Sequence, residues 1–285
     1  MLVDLIKLSR PHHWLKNVFV LMPAPFALAA GAQLDTTRFL LGLSGFCLTN
    51  SAVYALNDAK DAERDRLHDE KKHRPVAAGR ISIPMAVGWA IALIGGSAAL
   101  GWSSGSLEAL AITGVYLATN LFYTFIGKNI PLVDVFLLSS FFLLRVLLGC
   151  ALLAVVPSNW LLVCSGALAL FMGLTKRRSD LIKGLDESHR PSLTGYNAAF
   201  LDQAMGITAT MTVVAYALWS MEAKVLIPGR EFAGLPFVVF GVLDYLRIAI
   251  VQRGGSSPVD MLLKQPTILL TGVGYLAATL WSIDF

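Results

Sequence analysis

The chain has little charge and almost no cysteine. Of 285 residues, 15% are charged and three are cysteine, against 55% apolar residues and a mean hydropathy of +0.64. That balance excludes a soluble globule of this size, which would need far more polar surface. Cys47, Cys150 and Cys164 all lie in apolar runs without a Cys-x-x-Cys spacing, so they imply no thiolate metal site or disulfide and read as small core residues. No Gly-rich nucleotide loop or nucleophile elbow occurs, and His12, His13, His68, His73 and His189 show no metal-ligand spacing. The polar, amphipathic N-terminal stretch lacks a short apolar core followed by a cleavage site. The first apolar run is therefore expected to stay as a helix and not to be removed as a signal.

What the chain has in quantity is apolar runs of bilayer-spanning length, at about 17–33, 38–56, 83–102, 107–126, 131–153, 158–175, 203–221, 234–252 and 265–283. The runs are continuous, not alternating, so they predict helices and not barrel strands. The expected fold class is all-α: a polytopic membrane protein of about nine transmembrane helices forming one domain over 1–285. Lys and Arg set the orientation. With the N-terminus in the cytoplasm, all but Arg38, Lys224, Arg230 and the span-embedded Arg145 fall on the inside. The expected location is the plasma (inner) membrane, and the net charge of +4 follows from this bias and calls for no nucleic-acid partner.

Two inside loops, 57–82 and 176–202, are long and charged and lie four spans apart. The regularity predicts two four-helix halves around a cytoplasm-facing cavity. In the first loop, Asp58, Asp61 and Asp65 would fall within roughly a 60° arc of a continuous helix. Hard carboxylate oxygens on one face suit Mg²⁺, which takes one or two carboxylates and completes its shell with water and substrate phosphates. Lys60, Arg64, Arg66, Lys71, Lys72, Arg74 and Arg80 surround them, enough cation to hold an anion bridged by the metal. In the second loop Asp180 and Glu187 could share a face and add a metal contact. Its basic run, Lys176, Arg177 and Arg178, could bind phosphate or simply anchor the topology, and Tyr196 at its end joins the substrate-binding candidates.

Ionisable groups inside spans are costly and usually functional. For Arg145 a phosphate contact is the preferred role, with a structural pairing to Asp134, about three turns earlier on the same face, as the alternative. Asp244 and Arg247, at i and i+3, predict a local ion pair. Pro23 and Pro25 predict a kink in the first span.

The motif Asn57-Asp58-x-x-Asp61-x-x-x-Asp65, followed by Arg74-Pro75-x-x-x-Gly79, resembles the UbiA superfamily of intramembrane prenyltransferases over nearly the whole chain. Arg10-Pro11-x-x-Trp14-x-Lys16-Asn17, Leu144-Arg145 and Lys176-Arg177 are most similar to its phosphoribosyl-transferring branch. The resemblance implies that Asn57, Asp58, Asp61 and Asp65 hold Mg²⁺ and through it a diphosphate, that Arg74 and Arg66 contact phosphates, and that Lys16 lines the cavity. Many prenyl-diphosphate users carry a second Asp-x-x-x-Asp in the later loop. Here Asp180 and Asp186 are six apart in an unusually basic segment.

The expected reaction moves 5-phosphoribose from phosphoribosyl pyrophosphate to a polyprenyl (decaprenyl-type) phosphate, with Asp58, Asp61 and Arg74 as catalytic residues. A prenyltransferase acting on a prenyl diphosphate is the nearest rival. A transporter is the rival from another class, although transporters place coupling charges on interrupted helices near the midplane. Self-association in the membrane stays open.

Overall fold

The computed structural model describes residues 1–67, 71–184, 191–252 and 265–283. Among these, regular structure is helical apart from one antiparallel bridge between Leu226 and Ile283. The α-helices are α1 (Leu2–Ser9), α2 (Ala24–Ala29), α3 (Thr36–Lys60), α4 (Ala62–Arg66), α5 (Ile83–Ser103), α6 (Leu107–Phe125), α7 (Val133–Leu153), α8 (Asn159–Ile182), α9 (Ala198–Glu222), α10 (Leu235–Ile250) and α11 (Pro266–Ser282). Short 3-10 turns cover Lys71–His73, Gly127–Asn129 and Pro191–Gly195, and a longer 3-10 helix covers Pro11–Leu21.

Helix starts follow the sequence closely because polar caps precede the apolar runs. Asp35 accepts from Arg38 N at 2.9 Å, Ser106 from Ala109 N at 3.2 Å and Asn197 from Phe200 N at 2.8 Å, each satisfying a first-turn amide. Helices α3, α5, α7, α8 and α9 are long and apolar enough to cross a membrane. Helices α6, α10 and α11, of 19, 16 and 17 residues, fall on three of the remaining predicted runs.

Two expectations need correction. The run 17–33 is not one helix: a 3-10 helix ends at Leu21, and the chain turns at Met22–Pro23 before α2. Pro23 and Pro25 remove amide donors there, as their kink predicted. The second loop does not begin at residue 176, because α8 continues to Ile182 and carries the basic run as helix. Ion pairs made by Arg177 and Arg178 hold that extension. Asp186, Glu187 and Arg190, with His68 and His189, lie outside the described residues.

Buried apolar side chains form three clusters. One joins the 3-10 helix, α3, α6 and α7 through Val20, Phe46, Tyr116 and Leu148; a second joins α1, α3 and α5 through Leu8, Ala52 and Ala90. The third, with Phe171, Leu201, Met205 and Ile248, joins α8, α9 and α10 and takes Val135 from α7. Helix α7 contributes to two of the clusters, and its N-terminal end meets the basic run of α8 through Asp134 and Arg177.

Candidate active site at the end of α3

The 3-10 helix Pro11–Leu21 runs antiparallel along one face of α3. Arg10 Nη2 meets Asp58 Oδ1 at 2.6 Å, His13 Nδ1 meets the Tyr54 hydroxyl at 2.9 Å, Trp14 Nε1 donates to Ser51 Oγ at 3.1 Å, and Asn17 Nδ2 to Cys47 Sγ at 3.1 Å. The spacings match. Seven residues of 3-10 helix at about 2.0 Å each cover nearly the same length as eleven residues of α-helix at about 1.5 Å. Long 3-10 runs are uncommon, and side-chain contacts at His13, Trp14 and Asn17 hold the first part of this one. It is also seated on α7: a Cβ at Gly149 would overlap the Val20 carbonyl.

At the far end of this ladder lies the acidic motif. α3 stops at Lys60, Asp61 is the hinge with φ −93° and ψ 5°, and α4 restarts at Ala62. Asp58 and Asp65 are buried and converge on one guanidinium nitrogen, Arg74 Nη1, at 3.2 and 2.7 Å. Asp61 turns elsewhere and is held by Lys128 Nζ at 2.7 and 2.8 Å. The expected three-carboxylate face is thus split in two by the hinge. Among the described residues no group of three or more His, Cys, Asp or Glu side chains converges as a metal site. Asn57 is half-buried one position before Asp58. Arg66 is exposed and donates from Nε to the Ala77 carbonyl at 3.2 Å, which ties α4 to the strap carrying Arg74.

One atom tests the fit of a cation: Asp58 Oδ2 is buried and has no hydrogen-bond partner among the described residues. An uncompensated carboxylate oxygen is expensive. Mg²⁺ needs one or two protein carboxylates when phosphates supply the rest, and Asp58 with Asp65 meets that need. The donor set therefore fits the ion.

Further cations act near the ladder. The charges of Lys16, His12, Arg10 and Lys176 all act on His13, whose pKa is held down to about 3, first by burial and then by these neighbours. Lys16 from the 3-10 helix and Lys176 from α8 thus both act on one group.

Three predicted substrate contacts have other partners. Arg145 is buried, with Nε on Asn17 Oδ1 at 3.1 Å, Nη1 on the Phe141 carbonyl at 2.7 Å, and Nη2 on Asn50 Oδ1 and the Tyr116 hydroxyl at 2.7 and 3.0 Å. The rings of Phe46, Tyr116 and Phe142 lie 5.0 to 5.6 Å from its guanidinium carbon. It binds neutral oxygens and aromatic faces and does not pair with Asp134. Arg177, fully buried, instead pairs with Asp134 at 3.1 Å and Asp180 at 2.7 Å. Tyr196 donates to Asp134 at 2.6 Å and accepts from Leu132 N at 2.6 Å, which secures Leu132 at φ +65°. Burial and that bond to Asp134 push the Tyr196 phenol above its ordinary range. Arg178 pairs with Asp202 and donates to the Ala249 carbonyl. Asp244 and Arg247 form the expected local pair at 2.6 Å.

A family model described as the UbiA prenyltransferase family matches residues 17–254. The chain belongs to the UbiA prenyltransferase family. Decaprenyl-phosphate phosphoribosyltransferase of Corynebacterium glutamicum is 34% identical over 282 residues, 95% of this chain and 84% of its own length. The protein of the same name from Mycobacterium tuberculosis is 32% identical over 295 residues, 100% of this chain and 96% of its own. A UbiA homolog from Archaeoglobus fulgidus, solved with DMAPP and Mg²⁺, superposes with a TM-score of 0.75 at 19% identity, over 97% of this chain and 98% of that one. In this UbiA chain the sequence patterns singled out neither Arg10 nor Lys128 as site residues. Each comes from an element distant in sequence from the aspartate it meets, and spacing within one segment cannot reveal such a pair.

Proposed function

We propose that this multi-pass UbiA protein transfers 5-phosphoribose from phosphoribosyl pyrophosphate to a polyprenyl phosphate of decaprenyl type, releasing pyrophosphate. Full-length similarity to relatives bearing that activity in their names carries the reading. The arrangement suits it, with a buried carboxylate pair bound by Arg10 and Arg74 and the charges of Lys16 and Lys176 acting close by on His13. In this reading the nine apolar segments all cross the plasma membrane as one domain in two halves, with the N-terminus and the site in the cytoplasm.

Asp58 and Asp65, with Asn57 and Asp61 beside them, would hold Mg²⁺. When bound, the ion neutralises charge developing on the departing pyrophosphate. Arg74, one quarter exposed and reaching both carboxylates through Nη1, would donate from its other N–H groups to the same oxygens. Lys16 and Lys176 hold a second phosphate, and Arg66 approaches from the exposed side of α4. The bond from ribose C1 to the pyrophosphate oxygen breaks with its electron pair leaving on pyrophosphate. A phosphate oxygen of the lipid attacks C1 from the opposite face, so the configuration inverts. The nucleophile is already anionic at neutral pH, and no side chain has to remove a proton. Arg145, Arg177 and Tyr196 fix the helices that carry these groups. The polyprenyl tail lies along the apolar helix surfaces, out of water.

The test is transfer by the purified protein with Mg²⁺, labelled phosphoribosyl pyrophosphate and polyprenyl phosphate. The expected result is label in the organic phase, dependent on both lipid and metal. Label that stays in water while an isoprenyl diphosphate is consumed would establish prenyl transfer instead.

A further inference from the structure

Asp58 Oδ1 carries two guanidinium groups at once, Arg10 Nη2 at 2.6 Å and Arg74 Nη1 at 3.2 Å, while Oδ2 of the same carboxylate is buried without a hydrogen bond among the described residues. Asp58 and Asp65 are thus balanced by Arg10 and Arg74, and Asp61 by Lys128. A divalent cation arriving alone on Asp58 would set two further positive charges against two fixed guanidiniums in a site shielded from water, where such repulsion is strong. A diphosphate arriving with it cancels the excess and offers the displaced guanidinium a new partner.

Arg10 is built for such an exchange. It occupies the left-handed corner between α1 and the 3-10 helix, at φ 47° and ψ 59°, and its side chain keeps 16% exposure. Its guanidinium carbon lies 5.1 Å from the centre of the Tyr54 ring, a face that retains a cation when its carboxylate partner is lost. Arg74 differs, because its second carboxylate, Asp65, holds it in place.

We propose that Arg10 is a donor-binding residue that makes the divalent cation and the donor's diphosphate bind together: it blocks Asp58 against the ion alone and moves onto a diphosphate oxygen when both arrive. This rests on the metal-diphosphate reading above.

The experiment is Mn²⁺ binding to the full-length protein in detergent, followed by electron paramagnetic resonance with and without inorganic pyrophosphate. The variants are Arg10→Gln, Arg10→Lys and, as a control for loosening of α1, Asp4→Asn. Asp4 pairs with Arg80 away from Asp58. The wild type is expected to bind Mn²⁺ weakly alone and far more tightly with pyrophosphate. In Arg10→Gln, affinity for Mn²⁺ alone should rise about tenfold, the scale of one lost charged hydrogen bond, while the gain from pyrophosphate shrinks by a similar factor. Arg10→Lys should restore part of the coupling, and Asp4→Asn should behave as wild type.

Arg10→Gln values that are unchanged, or weakened in parallel with and without pyrophosphate, would overturn the proposal and leave Arg10 a structural contact. The proposal also fails if Asp4→Asn reproduces the Arg10→Gln pattern. A wild type that binds no Mn²⁺ even with pyrophosphate would overturn the metal-diphosphate reading itself.

Discussion

Asp58 has the most constrained environment of the acidic motif: 1% exposed, doubly contacted at one oxygen and uncompensated at the other. Asp58→Asn keeps the shape but replaces that bare oxygen with one less able to bind a cation, or with an amide donor. We expect turnover to fall by about 10²- to 10³-fold, the usual cost of removing one preorganised electrostatic contact, with the protein still inserted and folded. Arg74→Lys should also lose activity, because a single ammonium has to serve Asp58, Asp65 and phosphate together. Transfer assays on membranes with matched expression check both, and wild-type rates would remove these residues from the mechanism. The spacing of Asp58, Asp61 and Asp65 made the motif legible in the sequence. It did not reveal the hinge at Asp61, whose backbone leaves the helix and hands its carboxylate to Lys128. Arg145, Arg177 and Tyr196 were visible as unusual residues, but their partners come from other helices, so the sequence left their roles open.

The 3-10 helix, with its cap Arg10, is the element that locates the site, since it lays Arg10, His13, Trp14 and Asn17 against α3. Its seat depends on Gly149, where α7 comes within backbone contact of Val20. Gly149→Ala should push the 3-10 helix off α7, costing about 1–3 kcal/mol of stability as an overpacked contact and weakening donor binding through the displaced Arg10 and Lys16. A lowered melting midpoint together with a raised KM for the donor is expected, and an unchanged midpoint would show that the backbone yields without strain. The same element gives a pH dependence. Folded His13 has a pKa near 3, against 6.5 for the free side chain, because burial and surrounding cations disfavour its charged form. Below about pH 6.5 the unfolded chain binds a proton that the folded one refuses, so stability falls as pH drops toward 3. His13→Gln, which never protonates, should flatten this decline in melting scans between pH 7 and 4, and an unaltered slope would show that His13 is not its source. The sequence placed only residues 17–21 of this segment at the start of a transmembrane helix and read 11–16 as part of the polar stretch before it. The prolines marked the break after Leu21, whereas the 3-10 form depends on contacts to α3 that no local pattern encodes.

Across the whole molecule, both charged segments must open on the same side of the membrane for the aspartates on α3 and the lysine on α8 to serve one substrate. The boundaries of most apolar runs were legible because bilayer length is a local property. One exception, the extension of α8 past its apolar run to Ile182, is stabilised by Arg177 and Arg178 reaching acidic groups on α7, α8 and α9. Sidedness follows from helix length. Helix α9 starts beside Tyr196, which is bonded to Asp134 at the site end of α7, and continues for 25 residues to Glu222. At about 1.5 Å per residue that is roughly 38 Å, more than a bilayer core of about 30 Å. Lys224 is exposed just beyond this helix, and Lys72 is exposed on the strap next to Arg74. Cysteines placed at these two positions should therefore react from opposite faces. In right-side-out vesicles an impermeant maleimide should label Lys224→Cys directly and Lys72→Cys only after permeabilisation. Labelling of both from one side would mean that α9 does not cross the membrane.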